Sequence, residues 1–200
     1  MTPAVCIVDL EATCDDQGAI RRHEQEVIEI AAIVQDANHE VLARFHTYVK
    51  PVNNPRLTDF CSSLTHVRQS YVDNAPVFVE AAREFKTFLR PFREQLVGWA
   101  SWGEYDEQQF YRELRFTGAP DPFGVPYHNL KRILQAKMGG GKKLGAGEAV
   151  KHFGLDWEGA RHSARDDVHN IARATAKFLD LRRDLTAPPR DLSAGTSYSL

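Results

Sequence analysis

Apolar residues run almost unbroken through parts of the first fifty positions and then recur at helical spacing. The stretches 4–12 (AVCIVDLEA), 26–36 (EVIEIAAIVQD) and 41–51 (VLARFHTYVKP) predict three strands. The polar turn 36–40 (DANHE) makes the second and third a hairpin. Residues 76–92 carry apolar positions at helical period behind Pro76, which suits a first helical turn. A short buried strand follows at 95–101 (QLVGWAS). Beyond it, 105–118, 128–139, 144–155 and 163–181 read as helices, mostly closed by glycine. Three strands, a crossover helix, a fourth strand and further helices predict an α/β fold with a sheet of mixed direction. One domain over 1–182 is expected, followed by a Pro/Ser/Thr-rich, loose tail over 183–200.

At 200 residues, with 42% hydrophobic and 26% charged residues, the chain is long enough to bury a substantial core. It has no run of 18 apolar residues and no signal-peptide pattern, so no membrane association and a soluble, cytoplasmic setting are expected. Three cysteines (Cys6, Cys14, Cys61), without a C-x-x-C pair, argue against a disulfide framework or a zinc site. The net charge of −2 argues against a protein that coats duplexes non-specifically, but not against a nucleic-acid enzyme whose acids hold metal ions.

The first strand carries an anomaly: Asp9 and Glu11, two residues apart, point the same way. Two like charges at the end of a buried strand repel and are costly to desolvate, and a divalent cation is the simplest remedy. Asp106, past the strand at 95–101 and at the entrance of a helix, is a third acid; helix capping would also explain it, and Glu104 and Glu107 compete for any metal role. Asp166 and Asp167 open the last helix. At about 100° per residue, Asp166 falls opposite the stripe of Val168, Ile171, Ala172, Phe178 and Leu179, whereas Asp167 sits at its edge. Asp167 is therefore the better ligand. His162 lies five residues earlier, in reach of the same place, while His169 falls on the polar side. Four carboxylates and a histidine suit two Mg²⁺ or Mn²⁺ ions with a histidine base, the equipment for phosphodiester hydrolysis.

These words, in this order, resemble the DEDDh branch of the DnaQ-like 3′–5′ exonucleases, and most of all the Eri-type exoribonucleases. The matching stretches are VDLEATC (8–14), EVIEIAAIV (26–34), YVKPVNNPRLTDFCSSLTHV (48–67), SWGEYD (101–106) and HSARDDVHNIAR (162–173). The resemblance implies a ribonuclease H-like fold, with a five-stranded mixed sheet flanked by helices. It implies metal ligation by Asp9, Glu11, Asp106 and Asp167, a general base at His162, and contact of the terminal nucleotide with the backbone at Ala12 beside Glu11. The implied reaction releases nucleoside 5′-monophosphates from RNA 3′ ends. A DNA-directed exonuclease and a catalytically silent nucleic-acid-binding domain are the alternatives, and nothing in the chain speaks to oligomeric state.

Some features depart from the pattern. His66 stands where such enzymes usually have glycine. The chain begins at the first strand of the catalytic domain, so an additional preceding nucleic-acid-binding domain is not expected. The loop 138–147 (MGGGKKLGAG) fails as a phosphate cradle, because Ala136 and Lys143 stand where glycine and Ser/Thr are required. Lys142, Lys143, Lys131 and Arg132 are candidates for steering phosphates, with a solvated helix face the equal alternative. Of the aromatics able to stack bases, Trp99, Trp102 and Phe60, the first is expected in the core.

Overall fold

The structure, a computed structural model, describes residues 1–185. Five strands, β1 (Ala4–Ala12), β2 (Val27–Asp36), β3 (Val41–Tyr48), β4 (Leu96–Ser101) and β5 (Tyr127–Asn129), form one sheet in the order β3-β2-β1-β4-β5. The first three are antiparallel neighbours, and β4 and β5 run parallel to β1. This is the mixed sheet that the apolar runs predict. The helices are α1 (Asp59–Thr65), α2 (Gln69–Asp73), α3 (Phe78–Leu89), α4 (Tyr105–Thr117), α5 (Leu130–Lys137), α6 (Ala146–His152), α7 (Ala164–Thr175) and α8 (Leu181–Asp184). Among the described residues, no helix is long and apolar enough to cross a membrane.

Strand alternation sorts β1 into two cores. Ala4, Cys6, Val8 and Leu10 pack with Phe78, Phe85 and Leu89 of α3 and Phe110 and Leu114 of α4. Val5 and Ile7 face the other way, under Ala164, Val168 and Ile171 of α7. Asp9 and Glu11 continue this second row. The parity of the strand therefore aims both acids at the face that α7 covers, which is the first reason the acids meet.

Where the structure departs from the sequence reading, the elements concerned are short. α1 and α2 occupy a stretch with no strong period, and α1 is set by a local cap: Thr58 Oγ1 accepts the Cys61 N–H at 2.9 Å and donates to the Cys14 carbonyl at 2.7 Å. β5 is only three residues long and precedes a helix expected to start at 128. The helix expected over 163–181 ends at Thr175, where tight turns (Lys177 N–H to Ala174 O, 2.9 Å; Phe178 N–H to Thr175 O, 3.1 Å) break it. Asp180 then caps α8. Of the expected tail, Arg183 and Asp184 belong to α8, and residues 186–200 lie outside the described residues.

Candidate active site

β4 pairs with β1 only as far as Ile7 opposite Ala100, which leaves the end of β1 open on that side. Asp106, in the first turn of α4, fills the opening: its Oδ1 accepts the Leu10 N–H at 3.2 Å. The acid that could have been a mere helix cap is instead buried against the acidic end of β1, bonded to Leu10, the residue between Asp9 and Glu11. Its competitor Glu104 is ion-paired to Arg132.

From the other side, α7 delivers the rest. His162 adopts a left-handed backbone (φ 59°), and its N–H donates to the Asp167 carboxylate. Metal-capable atoms of Glu11, His162 and Asp167 all lie within 4.8 Å of one another. Asp166 points elsewhere, accepting the Ala160 N–H at 2.9 Å, so the helical phase distinguished the two adjacent acids. His169 pairs with Glu158 at 2.8 Å, away from the cluster.

The acids are electrostatically frustrated without a cation. Burial, and then Asp106, Glu11 and Asp167, raise Asp9 well above the ordinary carboxylate range. Glu11 is pushed up to about 9, by burial first and then by Asp167 and Glu29. Burial takes Asp167 to about 7, partly offset by the His162 N–H bond, and Asp106 to about 6. Asp167 Oδ1 is buried without a hydrogen-bond partner. An orphaned carboxylate oxygen among hard oxygen donors and one imidazole is what a divalent ion such as Mg²⁺ or Mn²⁺ would satisfy, so the residues present fit such an ion.

Two further acids shape the site and were not singled out in the sequence. Glu29 on β2 is the Cα partner of Glu11. It is buried, accepts the Ala164 N–H at 3.1 Å and meets His46 Nε2 at 2.7 Å, tying the start of α7 to the sheet. Glu26 accepts the backbone N–H groups of Val52, Asn53 and Asn54 at 2.7, 2.9 and 2.6 Å, fixing the loop that leads to α1. The only sequence signal for either was an acid inside an apolar strand. Nearby, the buried Cys61 thiol donates to the Ala12 carbonyl at 3.7 Å. Trp99 is fully buried and stacks on Phe123, Trp102 donates to the Leu144 carbonyl at 3.1 Å, and Phe60 stays exposed.

A mixed five-stranded sheet flanked by helices, with acids and a histidine gathered at the ends of β1 and α7, has the build of the ribonuclease H-like nucleases. A family model described as "Exonuclease" (RNase_T) matches residues 6–175, and the chain belongs to that exonuclease family. It is similar to the 3′-5′ exonuclease eri1 of Schizosaccharomyces pombe, 29% identical over 86% of this chain and 66% of that protein. The human ERI1 exoribonuclease 3 is 30% identical, over 83% of this chain and 50% of that protein. The chain thus spans half to two thirds of the length of these curated relatives. Among solved structures, the nuclease domain of 3′hExo, a DEDDh family member bound to rAMP, shares the fold: TM-score 0.79 and 24% identity, over 88% of this chain and 91% of that one.

Proposed function

We propose that this chain is a metal-dependent 3′–5′ exoribonuclease that releases nucleoside 5′-monophosphates from RNA 3′ ends. The observation that carries the reading is the convergence of Glu11, His162 and Asp167 within 4.8 Å at the end of a strand that also bears Asp9. The relatives named above as 3′-5′ exonuclease and exoribonuclease support it, as does family membership.

In this reading Asp9, Glu11, Asp106 and Asp167 hold two divalent ions, Mg²⁺ or Mn²⁺. Such ions supply charge stabilisation for the attacking and leaving oxygens at phosphorus. His162 is exposed and sits beside Glu11 and Asp167, where its ring takes the proton from the attacking water. Glu11 positions that water, and the backbone at Ala12 lies along the terminal nucleotide. The Leu10 N–H bond to Asp106 ties the strand end to α4 and helps hold the acids in place for the reaction.

The test is incubation with 5′-labelled single-stranded RNA and matched DNA in Mg²⁺, Mn²⁺ or EDTA, with Asp9→Ala alongside. A metal-dependent ladder shortening from the RNA 3′ end, absent in the variant, is the expected result. Faster loss of DNA would make the chain a DNA-directed exonuclease. Retained binding without cleavage of either would overturn the catalytic reading.

A further inference from the structure

Several basic residues elsewhere on the surface are already paired with acids. Arg132 pairs with Glu104, Lys142 with Glu148 at 2.6 Å, and Arg173 with Glu158 at 2.9 Å. The far end of α3 is different. Arg83 and Lys86 on that helix, Arg90 in the 3-10 turn that follows it and Arg93 just after that turn recur at intervals of three and four residues and so share one side. They line a groove of about 240 Å³ floored by Leu89 and Pro122. Among the described residues, none of the four side chains is in an ion pair or accepts an acid as a hydrogen-bond partner. Four unanswered cations around one concavity are unusual in a chain with a net charge of −2.

The position of the groove is informative. Ala4 donates to the Gln95 carbonyl, so the turn carrying Arg90, with Arg93 just after it, lies at the start of β1, while the acids sit at its end. Seven residue steps of strand, about 23 Å at the usual rise, run from Ala4 to Glu11. The groove lies on the α3 face of the sheet while the acids face α7, so the path between them is longer still. A dinucleotide held at the acids does not span that distance; a longer strand does.

We propose that the groove lined by Arg83, Lys86, Arg90 and Arg93 is a second RNA-binding site, which takes backbone phosphates of the substrate several nucleotides upstream of the 3′ end. The inference rests on the exoribonuclease reading for the identity of the polyanion. Its ligand chemistry is the phosphodiester backbone, met by guanidinium and ammonium groups without reading bases, so it adds affinity for length and not for sequence.

The test compares the wild type with the quadruple variant Arg83→Gln, Lys86→Gln, Arg90→Gln, Arg93→Gln. Three of these positions are exposed and Lys86 is partly so, so the fold is expected to survive, and a thermal melt checks it. Binding of a 25-nucleotide single-stranded RNA is measured in EDTA across a salt series. Each phosphate contact contributes about 0.7 to the slope of log K against log salt for a single strand, so full engagement lowers the slope by roughly 3. The expected result is that loss, with at least tenfold weaker binding, while hydrolysis of a four-nucleotide RNA in Mg²⁺ stays within twofold of wild type. An unchanged slope would overturn the groove. So would an equal loss on four-nucleotide and 25-nucleotide RNA, since the groove is out of reach of the shorter one. If the wild type hydrolyses neither RNA, the catalytic reading fails, and the salt series still decides the groove.

Discussion

Glu11 of β1 and Glu29 of β2 are directly opposed across the antiparallel register, so two carboxylates share the face beneath α7. They are held differently. Glu11 faces Asp167 and His162, whereas Glu29 is occupied by the Ala164 N–H and by His46. The result is an acid at the reacting surface, backed by a second acid that sets the height of the helix bearing its partners. Glu29→Ala would strip the fully buried Ala164 N–H of its acceptor, a cost of about 1–3 kcal/mol, and would loosen the start of α7. A displacement near 1 Å at such a site costs on the order of 100-fold in rate. The expected outcome is a 10- to 100-fold fall in kcat on RNA, with KM nearly unchanged, and partial recovery in Glu29→Gln, which keeps an acceptor oxygen. Activity of Glu29→Ala within twofold of wild type would show that α7 needs no such tether.

The raised carboxylates make metal-free stability depend on pH in a definite direction. Glu11 at about 9, Asp167 at about 7 and Asp106 at about 6 all lie above their unfolded values, so the folded state binds more protons than the unfolded one. Their contribution is fully present below about pH 4 and is lost as pH rises through 6 to 9. A cation removes the repulsion only where it can displace those protons. Thermal melts in EDTA should therefore fall from pH 5 to pH 9. Added Mn²⁺ should raise the midpoint by several degrees at pH 8 and by little at pH 5. A metal-induced shift of the same size at both pH values would separate the binding site from these acids.

His162 contributes to the site in two separable ways. Its backbone N–H bonds Asp167, and its ring stands over the cluster. Replacement by alanine keeps the first and deletes the second. His162→Ala should lower kcat by 10²- to 10⁴-fold, the usual worth of a general base, with the melting midpoint and the metal-induced stabilisation close to wild type. A comparable loss of metal-induced stabilisation would place the ring among the ligands instead.

The sequence exposed those parts of the site that short-range geometry dictates. The parity of β1 placed Asp9 and Glu11 on one face, and the phase of α7 separated Asp167 from Asp166, because both are fixed by backbone period alone. Glu29 and Glu26 were invisible for the opposite reason. Their roles depend on which N–H groups, those of Ala164 and of Val52 to Asn54, tertiary folding brings to them. Likewise β5 is held by three register pairs to β4 rather than by its own pattern, and α1 rests on the Thr58 cap and the small cluster of Ile28, Cys61, Val67 and Val72. The α3 groove was hidden in plain sight: the spacing of its four cations is legible, but their lack of acidic partners is a property of the packed surface.

His66 closes α1 in the left-handed region, at φ 61° and ψ 8°. Glycine adopts such a backbone freely, whereas a side chain there costs about 1–2 kcal/mol. Glycine gives back roughly 0.4–1 kcal/mol of this through the freedom of the unfolded chain, so the net gain from His66→Gly is about 0.5–1 kcal/mol. For a domain of this size that is a rise of about 1–4 °C in Tm, whereas His66→Ala, with the same backbone strain, should give none. The measurement that gives the substitution meaning is kcat/KM on RNA alongside the melt. The imidazole is exposed and α1 leads with Phe60 and Cys61 beside the Ala12 carbonyl. A stabilised variant with unchanged kcat/KM would make His66 a tolerated strain at a helix end. A stabilised variant with KM raised severalfold on RNA would instead show that the strain is retained because the ring meets the substrate.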